Sequence, residues 1–313
     1  MASHYYRSTG FVSLLLLAAL PRPGTTQVID DKHFVFTRGT TLMMASVSLD
    51  TRTNTFRADT RTLLSGCPSG IIGTCGYLDP AVSPDGNQIA FVLRAESPSG
   101  ESVGYGLWIR NLRTRRSLKV ARTFGGIPTH LSWSPNGAKL LYSEAGGIKE
   151  ISLCGTPFPA TPRQITTGTS PSYSQDGRRI AFNRAGDIYA AFASGRSQSN
   201  ITRTTRAEAF PRWSKPGTPG ANRIVFLADT AGAREVHRID LNGTGLFRAT
   251  RSGTRGKSAP DVSNNGYWYV WEEGNYIWFR AWGGISGPAV ESKLTFGETP
   301  VWGPKAVSVT TCP

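Results

Sequence analysis

The sequence predicts an all-β fold made of six copies of one four-stranded antiparallel unit, and three observations support this prediction. The chain of 313 residues contains 35 Gly and 20 Pro, so turns punctuate it throughout. No window shows the sustained three-and-four spacing of apolar residues that a long amphipathic helix needs. A short motif recurs at intervals of 40 to 51 residues, a period typical of propellers and solenoids.

The recurring motif is clearest at residues 171–182 and reads as two strands joined by a tight turn. Tyr173 precedes a Ser, an Asp-Gly pair suits a hairpin turn, and Ile180 and Phe182 alternate with smaller neighbours. Six copies align on positions 83, 134, 174, 214, 263 and 303. They are Val82-Ser83-Pro84-Asp85-Gly86, Trp133-Ser134-Pro135-Asn136-Gly137, Tyr173-Ser174-Gln175-Asp176-Gly177, Trp213-Ser214-Lys215-Pro216-Gly217, Val262-Ser263-Asn264-Asn265-Gly266 and a degenerate Trp302-Gly303-Pro304-Lys305.

The segments that follow each motif supply the other strands of the unit. An apolar second strand such as Ile89-Ala90-Phe91-Val92 comes first, and a third strand such as Asp187-Ile188-Tyr189 follows a charged, Gly-containing loop. A fourth strand ends in an apolar-Thr pair, as at Ile165-Thr166 and Leu294-Thr295. Four antiparallel strands in about 40 residues make one propeller blade. The sequence therefore predicts a six-bladed β-propeller.

The two ends of the repeat array complement each other. Residues 34–61 read as the second to fourth strands of a blade, and Pro300-Val301-Trp302 reads as a first strand. Pairing these segments completes the sixth blade and removes the open edges of a linear array. Val307-Ser308-Val309 either competes with Val35-Phe36 for the second-strand position or extends an edge.

The repeat resembles the TolB-like, WD-related propeller repeats. Their pattern is apolar-Pro-x-Trp-Ser-Pro-Asp-Gly, then Ile-x-Phe, then an Ile-Tyr third strand, and it is matched by Trp133-Ser134-Pro135-Asn136-Gly137, Ile180-Ala181-Phe182 and Ile188-Tyr189. The resemblance covers nearly the whole chain after residue 27 and implies the propeller architecture. The sequence shows neither the separate N-terminal α/β domain of TolB nor the hydrolase domain of prolyl oligopeptidase relatives, so a role in the Tol–Pal system is not implied.

The N-terminus predicts export. Arg7 precedes an apolar run from Phe11 to Leu20, and Pro21-Arg22-Pro23-Gly24 follows. This order is typical of a secretory signal peptide, and the run is shorter than the roughly 20 residues of a membrane-spanning helix, although an uncleaved anchor is the alternative. We predict a signal peptide at 1–27 and one propeller domain at 28–313. Removal of Arg7 and Arg22 lowers the formal charge from +14 to +12.

The four cysteines agree with export. Cys67 and Cys75 bracket a Gly-rich loop and are predicted to form a disulfide, which would make that loop rigid. Cys154 and Cys312 are the pair that remains. No second close Cys or His pair accompanies them, so neither a zinc site nor any other metal or cofactor is predicted.

Most conspicuous residues of the repeat have structural explanations. Asp and Asn in the turns tolerate left-handed backbone and bond to it locally, so calcium or glycan contacts are the lesser interpretation. Trp133, Tyr173, Trp213 and Trp302 recur at one position, which indicates packing between blades. No nucleophile motif or phosphate-binding Gly loop is present. His130 lies just before a first strand, and it is the one histidine whose position suggests a test of a functional role.

Propeller ligands usually bind on the face that carries the loops between blades and the loops joining second to third strands. Charged residues of both signs cluster in those loops, and we interpret them as a binding face for a polar partner. The equally favoured alternative is that these charges are solvated loop residues without a binding role. The candidate residues, with His130 at the rim, are Arg38, Arg94, Glu96, Glu101, Glu144, Arg184, Asp187, Asp229, Arg234, Glu272 and Glu273.

These observations favour an exported, monomeric, non-catalytic binding module for a protein partner or an anionic polysaccharide of the cell envelope. Basic residues are scattered among the blades, and this scatter argues against nucleic acid as the partner. The exception is a cluster between Arg110 and Arg122. The alternative is an extracytoplasmic carbohydrate-active enzyme, a lyase or hydrolase, with a site in the central channel. Acids from different blades meeting at one channel mouth would favour the enzyme.

Overall fold

The computed structural model describes residues 33–50, 55–122, 125–155, 158–214, 222–251, 253, 256–263, 268–281 and 291–302. These residues form six four-stranded antiparallel sheets, which confirms the predicted six-bladed β-propeller. The predicted signal peptide, the segment 307–309 and Cys312 lie outside the described residues. Among the described residues, no helix is long and apolar enough to cross a membrane.

The first blade combines both ends of the chain. Its innermost strand is β24 (Glu298–Trp302), followed outward by β1 (His33–Arg38), β2 (Thr41–Asp50) and β3 (Thr55–Leu64). Strands β1 and β24 are antiparallel, with Phe34 opposite Trp302 and Val35 opposite Val301. The predicted closure of the ring by N- and C-terminal strands is therefore confirmed.

The other five blades follow in chain order, each running from the channel outward. The strands are β4 (Thr74–Val82), β5 (Gln88–Glu96), β6 (Ser102–Asn111) and β7 (Ser117–Arg122) in blade 2; β8 (Thr129–Trp133), β9 (Lys139–Glu144), β10 (Gly147–Ser152) and β11 (Arg163–Thr167) in blade 3; β12 (Thr169–Tyr173), β13 (Arg179–Arg184), β14 (Asp187–Phe192) and β15 (Ser199–Asn200) in blade 4; β16 (Glu208–Trp213), β17 (Arg223–Thr230), β18 (Ala233–Asp240) and β19 (Phe247–Arg248) in blade 5; and β20 (Lys257–Val262), β21 (Trp268–Glu273), β22 (Tyr276–Ala281) and β23 (Glu291–Phe296) in blade 6.

The recurring turns between first and second strands are structural, as predicted. In blade 2, Ser83 Oγ donates to Asp85 Oδ1 at 2.5 Å, and Ser83 Oγ accepts from Gln88 N at 2.9 Å. Gly86 N donates to Ser83 O at 2.9 Å with φ at +68°, a backbone angle that glycine adopts without strain. Ser174 repeats these bonds with Asp176 and Arg179. The Asp side chains are therefore occupied within their own turns.

The recurring aromatic residue joins neighbouring blades. Trp133 of blade 3 is 8% exposed, packs in one apolar cluster with Ala90 and Leu107 of blade 2, and donates from Nε1 to Ala81 O at 3.0 Å. Trp302 similarly packs against Phe279 of blade 6. Burial of these rings between sheets supplies the inter-blade core.

A β-bulge interrupts every innermost strand at the same position. The bulge contains one non-glycine residue with φ between +43° and +57°, and these residues are Asp79, His130, Ser170, Phe210, Ala259 and Thr299. Register shifts accompany the bulges in all six sheets. Proline follows the bulge residue in every blade but blade 3, where Leu131 does. Bulges re-aim side chains, and here they form a ring around the channel.

Hydrogen bonds tie each bulge to the next blade. The second residue after the bulge accepts from the backbone N–H of the next blade's aromatic residue: Ser132 Oγ from Tyr173 N at 3.0 Å, Ser172 Oγ from Trp213 N at 3.2 Å, and Asp261 Oδ2 from Trp302 N at 2.7 Å. This repeat position is therefore a structural acceptor in three of the six blades.

The Ser172→Ala variant should lose about 1 to 2 kcal/mol in free energy of unfolding. Its hydroxyl accepts from the backbone N–H of Trp213, and this hydrogen bond is buried between the blades. Denaturant unfolding measures the change. The matched control Ser99→Ala, in an exposed loop, should change stability by less than about 0.5 kcal/mol. Equal effects of the two changes would contradict the inter-blade role.

Candidate functional site

A cavity of about 80 Å³ opens at one mouth of the central channel. First strands of five blades line it, together with one side chain from a second strand. The residues that matter chemically are Asp79, His130, Phe210, Arg212, Glu272 and Thr299. His130 is the second residue of β8, and Glu272 lies one residue before the end of β21. The mouth is therefore on the face of the between-blade loops and the second-to-third-strand hairpins, opposite the Asp-Gly turns.

Arg212 is the cation of the cavity. It occupies the repeat position at which Ser132, Ser172 and Asp261 accept inter-blade hydrogen bonds, a role that a guanidinium cannot perform. Its one hydrogen bond within the described chain runs from Nη1 to Pro211 O at 3.4 Å, and it forms no ion pair within 4.0 Å there. Burial lowers the pKa of Arg212, while the charges of Asp261 and Asp79 oppose that shift. Its other donors therefore have no acceptor among the described residues, and the side chain lines the cavity.

Asp79 is the most perturbed acid of the mouth. Burial raises the pKa of Asp79 to about 6, and the nearby Glu272 charge acts in the same direction. The Arg212 charge and a hydrogen bond from the His130 backbone N–H act against the rise. Because a carboxyl with this pKa exchanges its proton near neutral pH, Asp79 can both accept and deliver a proton.

His130 is neutral at physiological pH. Burial, assisted by the Arg212 charge, lowers the pKa of His130 to about 3. Its ring lies against Phe210 with 5.1 Å between centroids, and the buried Nδ1 has no hydrogen-bond partner in the described part of the chain. A neutral imidazole thus adds an unused polar atom to an otherwise charged site.

The His130→Gln variant should change how stability depends on pH. In the unfolded chain, His130 has its usual pKa of 6.5 and is protonated between about pH 4 and 6. In the folded chain, the lowered pKa keeps it neutral over this range, so His130 reduces the free energy of unfolding as the pH falls. Asp79 acts oppositely, because its raised pKa makes the folded chain bind the extra proton. Relative to the variant, the wild type should therefore lose about 1.4 kcal/mol for each unit of falling pH. Denaturant unfolding at several pH values measures this, and parallel curves would contradict a neutral buried His130.

The sequence-predicted candidates lie on the expected face, but most are engaged with each other. Only His130 and Glu272 line the cavity. Arg94 pairs with Glu96 at 3.2 Å, Lys149 with Glu144 at 2.5 Å, and Arg234 with Asp229 at 2.9 Å.

The remaining candidates also have partners near the hairpin tips. Arg38 donates to Phe296 O and Thr295, and Arg184 donates to Gln198 and lies over the ring of Tyr189 at 4.2 Å. Asp187 accepts from Asn200 at 2.7 Å. These contacts engage the hairpin charges within the protein, and a binding role for them stays a prediction.

The comparisons with known proteins agree with this architecture. No family model and no curated protein sequence matches the chain. Among solved structures, TolB from Acinetobacter baumannii is 20% identical over 88% of this chain and 67% of its own, with a TM-score of 0.61. The chain has the propeller fold of TolB. The resemblance predicted from the repeat is thus confirmed for the fold.

Two other solved structures have the same fold at lower identity. A chain of a nidogen/laminin complex is 8% identical over 80% of this chain and 89% of its own, with a TM-score of 0.59. Oligogalacturonate lyase from Vibrio parahaemolyticus is 11% identical over 82% of this chain and 73% of its own, with a TM-score of 0.51. At such identities the similarity concerns the fold alone.

Sequence reasoning missed Asp79, Phe210 and Arg212. The repeat contains a usable signal for them, because the residue four positions before the anchor lines the cavity in five of the six blades, and the residue two positions before it does so at Arg212 and Val301. At the position occupied by Ala81, Ser132, Ser172 and Val301 in other blades, Arg212 is the one cation. Departure from the repeat, rather than agreement with it, indicates the site.

Within the described residues, no group of three or more His, Cys, Asp and Glu side chains is placed to hold a metal ion. Cys67 and Cys75 form a disulfide, which confirms that predicted pair.

Proposed function

We propose that this protein is an exported binding module that recognises a protein partner at the channel mouth. The observation that carries the proposal is the half-buried Arg212 guanidinium, which lines the cavity and makes one weak hydrogen bond, to Pro211 O, within the described chain. A partner group that supplies an acceptor there would make a charge-assisted hydrogen bond and gain binding energy. The disulfide between Cys67 and Cys75 supports an extracytoplasmic location.

The charges of the mouth favour a protein over an anionic polysaccharide. Three carboxylates, those of Asp79, Asp261 and Glu272, surround the single Arg212 cation. A uronate or sulfate would face these acids at short range and in low dielectric. The cluster of basic residues lies instead on the hairpin of β6 and β7, at the opposite end of blade 2. A chain of the nidogen/laminin complex, an assembly of proteins, has the same fold, which adds support for a protein partner.

Affinity capture from the envelope fraction of the producing cell, run beside a glycan array, tests the proposal. The baits are wild type, the mouth variant Glu272→Lys, and the opposite-face control Arg178→Glu, whose side chain is exposed beside an Asp-Gly turn. We expect one protein to be retained by wild type and by Arg178→Glu but not by Glu272→Lys. Retention unaffected by Glu272→Lys, or binding on the glycan array alone, would refute the proposal.

The second candidate is a carbohydrate-active enzyme, because Asp79 of blade 2 and Glu272 of blade 6 do meet at one mouth. The raised pKa of Asp79 suits a general acid near neutral pH, while Glu272 would act as the second carboxylate. Incubation with envelope and plant polysaccharides, followed by measurement of new reducing ends, tests this candidate. If the protein is an enzyme, the wild type should release new reducing ends and the Asp79→Asn variant should not. A binding module releases none with either.

A further inference from the structure

We propose that the partner group entering the cavity is a primary carboxamide, the side chain of an Asn or Gln on an exposed segment of the partner protein. This inference rests on the proposed function and names the chemistry of its site. It follows from three properties of the cavity: its size, its set of donors and acceptors, and its charge.

The size of the cavity limits the group to a few atoms. An engineered cavity of roughly 150 Å³ holds a benzene molecule, so a cavity of about 80 Å³ suits about three or four non-hydrogen atoms. A carboxamide with its attached carbon has this size. The rest of the partner segment would lie outside, on the between-blade loops.

The cavity presents hydrogen-bond donors on one side and acceptors on the other. Arg212 offers donors that Pro211 O, at 3.4 Å, uses only weakly. Glu272 Oε2 accepts from Thr299 N at 3.2 Å, and its Oε1 has no partner within the described chain. Asp79 accepts from the His130 backbone, and His130 Nδ1 is unused. A ligand must therefore combine an acceptor for Arg212 with donors for Asp79 and Glu272.

Charge distinguishes the groups that could meet this requirement. A carboxylate would satisfy Arg212 but would add a fourth anion beside Asp79, Asp261 and Glu272. An ammonium would satisfy the acids but would leave the Arg212 donors buried and place two cations together. A carboxamide is neutral, and its oxygen can accept from Arg212 while its NH₂ donates to Asp79 and Glu272. Hydrogen bonds to charged groups are stronger than those between neutral groups, and this strength compensates for the absence of a full charge on the carboxamide.

Four probes of similar size separate these possibilities on the intact chain: propionamide, propionate, propylammonium and 1,2-propanediol. NMR shifts of the Arg212 Nε–H and the His130 ring report occupancy of the cavity. We expect propionamide to bind at least about tenfold more tightly than each of the others, the difference that one charge-assisted hydrogen bond makes. The Arg212→Met and Asp79→Asn variants should each abolish that preference, whereas Ser99→Ala, outside the cavity on the same face, should retain it.

Each outcome has a defined meaning, provided that thermal unfolding shows the variants to be folded. Tighter binding of propionate, propylammonium or the diol would overturn the carboxamide inference, while recognition at the mouth would stand if Glu272→Lys still loses the captured protein. Absence of any shift with all four probes would overturn the inference as well. Capture unaffected by Glu272→Lys would refute the proposed function itself.

Discussion

The Glu235→Ala variant is expected to lose about 3 to 5 kcal/mol in free energy of unfolding, the usual result of breaking a buried ion pair. Glu235 and Lys257 are both fully buried, with 3.4 Å between Glu235 Oε2 and Lys257 Nζ. Glu235 also accepts from Arg248 at 3.0 Å, from Gly253 N at 2.9 Å and from the Thr250 hydroxyl. Its loss leaves the buried Lys257 cation with Glu273, at 3.4 Å, as a remaining acidic partner and removes the acceptor of the buried Thr250 hydroxyl at the junction of blades 5 and 6.

Denaturant unfolding measures this loss, with Glu101→Ala on an exposed loop as the control. The control should change stability by less than about 0.5 kcal/mol. The double variant Glu235→Leu with Lys257→Met should recover much of the loss, because it removes both charges together. A loss below about 1 kcal/mol for Glu235→Ala would contradict a structural role for this network.

The Arg212→Met variant is expected to weaken partner binding by at least about thirtyfold, which corresponds to a buried arginine hot spot of about 2 kcal/mol. Stability should be unchanged or slightly increased, because Met fills the space of the side chain without a half-buried cation that makes one weak hydrogen bond within the described chain. Calorimetric binding and thermal unfolding measure the two effects separately.

The control for this prediction is Arg178→Met, which removes an arginine from the opposite face. It should alter partner binding by less than about twofold, since rim and remote charges contribute little. Loss of stability with Arg212→Met, comparable with its loss of binding, would instead assign Arg212 a structural role.

The architecture was predictable because one packing solution recurs in every blade. The Ser and Asp of each turn, as at Ser174 and Asp176, bond to their own backbone, and Trp133 and Trp302 fill the same inter-blade space. Such local and nearest-neighbour requirements leave their pattern in the sequence at a fixed period. Ring closure followed from the same pattern, since β1 needed a first strand that only the C-terminal segment could supply.

The candidate site was predictable only in part. His130 and Glu272 were found because they lie near loops of the expected face. Arg212 and Asp79 were missed because the bulges turn residues of the first strands into the channel, and the register shifts that do this are not visible in an alternating strand pattern. Hairpin charges such as Arg94 and Asp229 drew attention although their neighbours Glu96 and Arg234 already pair with them.

Hydrogen–deuterium exchange of the chain with and without its captured partner tests the central claim, recognition at the channel mouth, most directly. We predict that the partner slows exchange in the between-blade loops and in the bulges around Asp79, His130 and Phe210. Slower exchange confined to the Asp-Gly and Asn-Gly turns around Gly86, Gly137 and Gly177, at the other end of the channel, would contradict it.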